Sequence, residues 1–295
     1  MTNEEKAQAL LSSPAGCSFV LDASENLHLG IDRIAEPDAS FWLASSAMDW
    51  CDVHAGAGWR ERRSMTLDSA RDFADLALEI MSSPQFAWWY EPLDLGNQVW
   101  TSPQMIRGSL PADPALTEPF RPERWRRPSP PDQDADPVPD TSVQGTSTLR
   151  GSATSEVAAY AIYAADHICA FPLAAWRVQF EQEVRVFEIN HPADWHELCL
   201  EFPHCAPDGR LVPDWRAASE QWDGVHLTLG GALSCEQARY EADGQWSMMQ
   251  FWHTEETRWL NRIAATGERV PDFQRQPHDL SGRLRRFPYG FKPGK

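Results

Sequence analysis

Tryptophan alternates with polar residues through positions 184–262, and this block constrains the fold more than any other part of the chain. Six of the 14 tryptophans lie in it, namely Trp195, Trp215, Trp222, Trp246, Trp252 and Trp259. A buried tryptophan needs a partner for its indole N–H, so the pattern indicates walls that are apolar and hydrogen-bonding at once. Such walls occur in cores and in small-molecule pockets. The block therefore predicts where a site lies, but no motif in it specifies a reaction.

Short helices and strands follow one another irregularly, which predicts an α+β fold with mixed, mainly antiparallel sheets. Hydrophobic periodicity and capping residues predict helices at 3–12, 67–82, 156–170, 192–202 and from 213 onward. Alternation predicts two strands within 18–31 and further strands in WRVQF, VRVFEI, DGVHLTLG and SMMQFW. The pair Gly230-Gly231 is expected to form a turn, and Thr254 is expected to cap a helix that contains Glu255 and Glu256.

A proline- and acid-rich stretch interrupts this pattern at 111–145. Nine prolines and almost no periodic apolar residues fall between positions 111 and 140, so the stretch cannot bury enough surface to order itself. We expect a linker or a long loop between an N-terminal region, 1–110, and a C-terminal region, 146–270, with a basic tail at 271–295. A single domain with a long insertion fits the same pattern.

The formal net charge is −17, which argues against a dedicated nucleic-acid-binding protein because phosphate binding depends on clustered lysine and arginine. No apolar stretch approaches about 18 residues, so no membrane span is expected. The N-terminal residues lack the pattern of a signal peptide. The six cysteines are scattered and lack CxxC spacing, which is typical of reduced thiols. These features together predict a cytoplasmic protein.

Motifs for metal and nucleotide binding are missing from the sequence. His191, His196, Cys199, His204 and Cys205 lie close together, but they have neither HExxH nor CxxC spacing, so no metal site is expected. The chain also lacks a GxGxxG loop, a P-loop and the GxSxG turn of serine hydrolases.

Two glutamates stand where a strand is expected to begin. Glu181 and Glu183 are one residue apart in FEQEVRVFEI, and residues i and i+2 of a strand lie on the same face. Two acids on one face can stabilise a developing cation or divide into acid and base roles. The alternative is a pair of solvated glutamates at an exposed sheet edge.

His226 is the candidate general base. It alternates with Val225 and Leu227 on the expected strand, so its side chain is expected to face solvent or a cleft. A histidine in a cleft between Trp222 and Trp252 could move a proton. The alternative is a hydrogen-bonded surface histidine.

Three short motifs together resemble ADP-ribosyltransferases of the Arg/Ser/Glu type. They are Thr146-Ser147-Thr148, the Glu-Gln-Glu run at 181–183 before a strand, and WDGVHL at 222–227. The early arginine of that family has no assigned counterpart here, and Arg60 is only a candidate for it.

The resemblance implies that NAD is a substrate and that no cofactor is bound permanently. It implies that Thr146, Ser147 and Thr148 hold NAD and that Glu183, with Glu181, steadies the ribose cation. Trp222, Asp223 and Trp252 are then expected to bind the substrate, with the tryptophans as pocket walls.

The leading hypothesis is thus an NAD-using, ADP-ribosyltransferase-like enzyme. One alternative is a non-catalytic, acidic binding or immunity-type protein with a basic protein partner. Another is a small-molecule hydrolase that uses His226 and a nearby acid. A deep pocket lined by Glu183, Trp222, His226 and Trp252 would favour an enzyme, whereas separation of these residues would favour a binding protein.

Overall fold

The fold comes from a computed structural model, which describes residues 1–52, 66–102, 146–150, 157–158, 173–250, 252, 255–261, 263 and 265–273. The whole of the expected linker at 111–145 lies outside these residues. So do the candidate arginine Arg60, the capping residue Thr254 and the basic tail beyond residue 273.

Eight helices have described bounds, and residues 66–70 are helical as well. The eight helices are α1 (Asn3–Ser12), α2 (Pro14–Glu25), α3 (Ile31–Ala35), α4 (Pro37–Asp52), α5 (Ala74–Ser82), α6 (Pro192–Glu201), α7 (Trp215–Gln221) and α8 (Leu229–Cys235). The strands are β1 (Gln98–Ser102), β2 (Ser147–Arg150), β3 (Val157–Ala158), β4 (Leu173–Phe180), β5 (Val186–Ile189), β6 (Pro203–Cys205), β7 (Leu211–Pro213), β8 (Gly224–Leu227), β9 (Arg239–Ala242), β10 (Gln245–Met248), β11 (Glu256–Trp259) and β12 (Ala265–Phe273).

The strands form three sheets, in the orders β12-β4-β1-β2-β3, β6-β7-β10-β9 and β11-β8-β5. Most neighbouring strands are antiparallel, whereas β5 pairs with β8 and β7 with β10 in parallel. The α+β class with mixed, mainly antiparallel sheets is therefore confirmed. The expected strands β4 and β5 are present but lie in different sheets, so they do not form a pair.

The chain begins with helices that carry strong capping signals. Thr2 and Glu5 form a capping box at α1, and this helix was expected from the sequence. The Ser13 side chain caps α2 by accepting the Gly16 N–H, and Pro14 occupies the first turn. The prediction of two strands within 18–31 is wrong. Residues 14–23 are buried all round, and a short apolar run of that kind has no period that distinguishes helix from strand.

The helix expected at 67–82 forms in pieces. Residues 66–70 are helical, Arg71–Phe73 form a 3-10 turn and α5 completes the segment. Thr66 is itself helical and buried, so the helix begins earlier than expected. The helix expected at 156–170 is contradicted at Val157–Ala158, which form β3, and the remainder lies outside the described residues.

One hydrophobic core joins the first and last parts of the chain. Leu10, Phe19 and Ile80 belong to the same buried cluster as Leu198 and Leu233. The Ser13 hydroxyl also donates to the carbonyl of Leu233. The expected division into N-terminal and C-terminal regions stays a prediction.

Helix α8, which follows β8, packs closely against neighbouring elements. Gly230 and Gly231 were expected to form a turn, but both lie inside α8, so that expectation is wrong. A Cβ atom on Gly230 would collide with the Tyr90 ring, and one on Gly231 would collide with the Ile189 carbonyl. The glycines thus allow close approach between elements, which sequence periodicity does not reveal.

The prediction of a helix that contains Glu255 and Glu256 is also wrong, because Glu256–Trp259 form β11 in the sheet with β8. Cross-strand pairing with β8 overrides the helix-capping signal there. Within the described residues, no helix combines the length and apolarity needed to cross a membrane.

Candidate functional site

A row of polar side chains crosses the small sheet. Glu188 on β5 pairs in register with His226 on β8, which pairs with Thr257 on β11. Thr257 in turn forms a β-bridge with Thr146. Residues paired in this way lie on the same face of a sheet. The topology therefore brings together four positions that are far apart in sequence.

His226 lies between two carboxylates. Its Nδ1 atom is 2.6 Å from Oε2 of Glu188, and its Nε2 atom is 3.6 Å from Oε1 of Glu255. His226 and Glu255 are each 1% exposed, whereas Glu188 is 31% exposed. The other oxygen of Glu188 accepts the Leu93 N–H at 3.0 Å. The imidazole is therefore held from both sides, and only Glu188 reaches the surface.

This setting makes His226 a buried cation. Burial lowers the pKa of its imidazole, but the hydrogen bond to Glu188 and the negative charges of Glu188 and Glu255 outweigh burial and raise the pKa to about 9. An imidazolium at neutral pH has no lone pair with which to accept a proton. The expectation that the side chain faces solvent or a cleft is wrong, because the whole of β8 is buried.

We expect the stabilisation by this ion cluster to depend on pH. Because the folded-state pKa of about 9 lies above the ordinary 6.5, the stabilisation is complete below the ordinary value and is lost as pH rises through about 9. The measurement is the difference in unfolding free energy between wild type and His226→Gln, compared at about pH 6 and about pH 10. The difference should shrink at the higher pH, and a constant difference would contradict the charged state.

The threonines expected to hold NAD are buried in a hydrogen-bond network. Thr146 Oγ1 donates to Oε1 of Gln98 at 2.6 Å, and Gln98 Nε2 donates to Thr148 Oγ1 at 3.0 Å. Trp259 Nε1 donates to Thr146 Oγ1 at 3.0 Å. Thr146, Thr148 and Gln98 are at most 3% exposed. These groups join β1, β2 and β11, while the side chain of Ser147 lies outside the described part.

Glu181 and Glu183 lie on the surface and not among these buried side chains. Both are exposed in the bend between β4 and β5, so the expectation that they share a strand face is wrong. The strand begins only at Val186, after charged residues that favour solvent. The structure therefore does not bring Glu183 into the buried row that contains His226 and Thr146.

Asp223 joins the ends of two strands and the segment after β11. Its carboxylate accepts the Arg185 N–H at 2.9 Å and the Asn261 side-chain N–H at 3.3 Å. Its carbonyl accepts the Leu260 N–H at 2.8 Å. Neighbouring Trp222 is half-buried and packs edge-on against Phe187, with ring centroids 5.5 Å apart. Both residues have structural contacts that explain their positions.

Trp252 belongs to a cluster of three tryptophans in the core. Its ring centroid lies 6.4 Å from that of Trp195 and 6.2 Å from that of Trp215, and those two lie 6.1 Å apart. The Arg258 guanidinium stacks 4.5 Å above the Trp252 ring. Trp252 is 0% exposed. It is therefore part of the core and does not form the wall of an open pocket.

The histidines and cysteines considered for a metal site have separate roles. His191 Nδ1 accepts the Ala193 N–H and caps α6, while His196 Nδ1 contacts Ser247 Oγ at 2.9 Å. Burial raises the pKa of the Cys199 thiol well above its ordinary value. Among the described residues, no group of three or more histidine, cysteine or acidic side chains is arranged to hold a metal ion.

A surface cleft opens at the carboxyl end of β5, and the carboxyl ends of parallel strands are a frequent place for ligands. Its volume is about 560 Å³, and it is lined by Met1, Glu5, Lys6, Tyr90, Asn190, His191 and Asp194. The sequence pattern gave no indication that Asn190 and His191 line a cleft. No local motif connects them with α1 and Tyr90, so the cleft depends on the packing of distant segments.

The chain matches no protein-family model, no curated protein and no solved structure.

Proposed function

We propose that the protein is a non-catalytic binding protein with a basic partner. The observation that carries this proposal is the enclosure of the Glu188–His226–Glu255 cluster. Its histidine is 1% exposed and lies between two carboxylates, and this enclosure supports a structural role for the candidate base. Glu183, Trp222, His226 and Trp252 do not line a common pocket in the described part, and this separation favours a binding protein.

The charge of the chain supports a basic partner. The formal net charge is −17, and complementary charge accelerates and orients association. Part of this charge lies on the helical segment 66–82, where Asp68, Asp72, Asp75 and Glu79 are all exposed.

The binding hypothesis is tested with peptides of opposite charge. Titration calorimetry at about 0.15 M salt would compare a peptide of alternating arginine and glycine with one of alternating glutamate and glycine. We expect one-to-one binding of the arginine peptide and none of the glutamate peptide. Binding that is lost at this ionic strength, or that has no defined stoichiometry, would indicate general counter-ion attraction and would overturn the proposal.

The ADP-ribosyltransferase-like hypothesis stays a prediction with its own test. We expect NAD neither to raise the melting temperature nor to be consumed, because Thr146 and Thr148 are enclosed and Glu183 lies apart from them. We also expect Glu183→Gln to change the free energy of unfolding by less than about 0.5 kcal/mol, as for most exposed sites. NAD consumption that Glu183→Gln abolishes would establish the enzyme and reject the binding proposal.

The proposal includes a cytoplasmic location. Cys199, Cys205 and Cys235 are free thiols, and free thiols persist in reducing compartments.

A further inference from the structure

The dipeptide Asp-Gly occurs three times in the chain, at 208–209, 223–224 and 243–244. We propose that Asp243 is a modification site that isomerises spontaneously to isoaspartate, whereas the fold protects Asp208 and Asp223. This modification needs no enzyme and is independent of the proposed binding function. The inference rests on the contacts of the two reacting groups, which are the aspartate carboxyl and the N–H of the following glycine.

Isomerisation begins when the glycine nitrogen attacks the side-chain carboxyl carbon of the preceding aspartate. A carbon–nitrogen bond forms, and the proton of the nitrogen leaves with the hydroxyl of the carboxyl group as one water molecule. Water then opens the cyclic succinimide at either carbonyl carbon. Opening at the former backbone carbonyl gives isoaspartate, and opening at the other restores aspartate. The water that was lost is regained, and nothing is oxidised or reduced. Glycine favours the reaction because it has no Cβ atom to hinder the close approach.

Both reacting groups are unengaged at the tip of the hairpin that joins β9 to β10. Ala242 pairs with Gln245, so Asp243 and Gly244 form a two-residue turn. Their φ angles of 52° and 76° are typical of a type I′ turn, and both residues are exposed. Within the described part of the chain, neither the Asp243 carboxylate nor the Gly244 N–H has a hydrogen-bond partner. The rotation that brings the nitrogen to the carboxyl carbon therefore breaks no hydrogen bond of either group.

The same two groups are engaged at 208–209. One oxygen of Asp208 accepts the Arg210 N–H at 3.1 Å, and the other lies 3.6 Å from Nε of the same arginine. The Gly209 N–H donates to the Ala206 carbonyl at 2.9 Å. Asp208 and Gly209 are exposed, like the hairpin tip. Hydrogen bonding, and not exposure, thus distinguishes these two dipeptides.

Both groups are also engaged at 223–224. The Asp223 carboxylate accepts the Arg185 N–H and a side-chain N–H of Asn261. The Gly224 N–H donates to the Arg185 carbonyl at 3.3 Å, and Gly224 is buried. An attack there would break these bonds in the interior of the small sheet, so we expect this dipeptide to be the best protected of the three.

Isoaspartate at position 243 would change the hairpin. The new linkage runs through the side-chain carbon, so it adds one atom to the backbone of a two-residue turn. The Ala242–Gln245 pair could then no longer be closed by a type I′ turn. On β10, Ser247 contacts the buried His196 of α6, so the altered turn lies on a hairpin that packs against this helix.

The test is the isoaspartate content of the three dipeptides after incubation of the full chain at neutral pH. Trypsin cleaves after lysine and arginine and places them in different peptides, 186–210, 217–239 and 240–258, which chromatography and mass spectrometry resolve. We expect isoaspartate to form in 240–258 and at least about 10-fold more slowly in the other two, where hydrogen bonds must break first. In urea, which removes the fold, the three rates should become similar. Equal rates in the folded chain, or none in 240–258 when the unfolded chain reacts there, would overturn the inference.

Two matched variants give a second measurement. Asparagine reacts by the same route but releases ammonia in place of water, and it tolerates the positive φ of the turn. Asp243→Asn should therefore lose its side-chain nitrogen at least about 10-fold faster than Asp208→Asn, whose site keeps its hydrogen bonds. Mass spectrometry measures the loss, and a melting curve checks that both variants are folded. Equal rates, or faster loss from Asp208→Asn, would show that the fold does not select Asp243.

Discussion

Replacing His226 with glutamine is expected to lower the free energy of unfolding by about 3–5 kcal/mol at neutral pH. The change removes the cation between Glu188 and Glu255, so the carboxylate of Glu255, which is 1% exposed, loses the opposite charge of the imidazolium. Breaking a buried ion pair by removing one partner is costly because the remaining charge stays desolvated. The measurement is urea denaturation of both proteins at pH 7.

The matched control is His28→Gln, since His28 is exposed and its ring contacts only the nearby Glu25 carbonyl. This substitution should change the stability by less than about 0.5 kcal/mol. If His226→Gln were equally mild, the cluster would contribute little to the fold. His226 would then be free to serve in chemistry, and the main argument against an enzyme would be lost.

Truncating Trp252 to alanine is expected to lower the free energy of unfolding by about 3–5 kcal/mol. Its ring packs against Trp195 and Trp215 and carries the Arg258 guanidinium, so alanine would leave a large cavity. Trp252→Phe should cost much less, because phenylalanine keeps most of the apolar volume. Thermal and urea unfolding of the two variants would measure the difference.

The control for this substitution is Trp246→Ala. Trp246 is half-buried on β10, where Arg239 stacks on its ring 4.5 Å from the centroid, and its removal should cost clearly less than that of Trp252. A small effect of Trp252→Ala would show that the ring borders open space, as the wall of a pocket would. That result would restore the role expected from the sequence.

Local signals in the sequence were sufficient where the chain interacts mainly with itself. The Thr2–Glu5 capping box begins α1, His191 and Pro192 begin α6, and Asp214 begins α7. The α+β class also follows from the order of such signals. These features depend on contacts within three or four residues, so they can be identified without knowledge of the fold.

Local signals failed where distant segments determine the structure. The sequence pattern around Phe19 and Leu21 predicted a strand, but both residues lie in the fully buried helix α2. The pattern around Glu256 predicted a helix, but Glu256 lies in β11, which pairs with β8. Gly230 was predicted to lie in a turn, but it lies in α8, where the Tyr90 ring packs against it. In each case, burial or cross-strand pairing outweighs local propensity.

The same division applies to function. The sequence by itself determined the acidity of the chain, its fold class and the concentration of tryptophan near residues 184–262. Only the tertiary structure decided that His226 is an enclosed cation and that Glu183 stays in solvent. The physical reason is that the charge and accessibility of a side chain depend on its neighbours in space, here Glu188 and Glu255, and those neighbours come from other strands and segments of the chain.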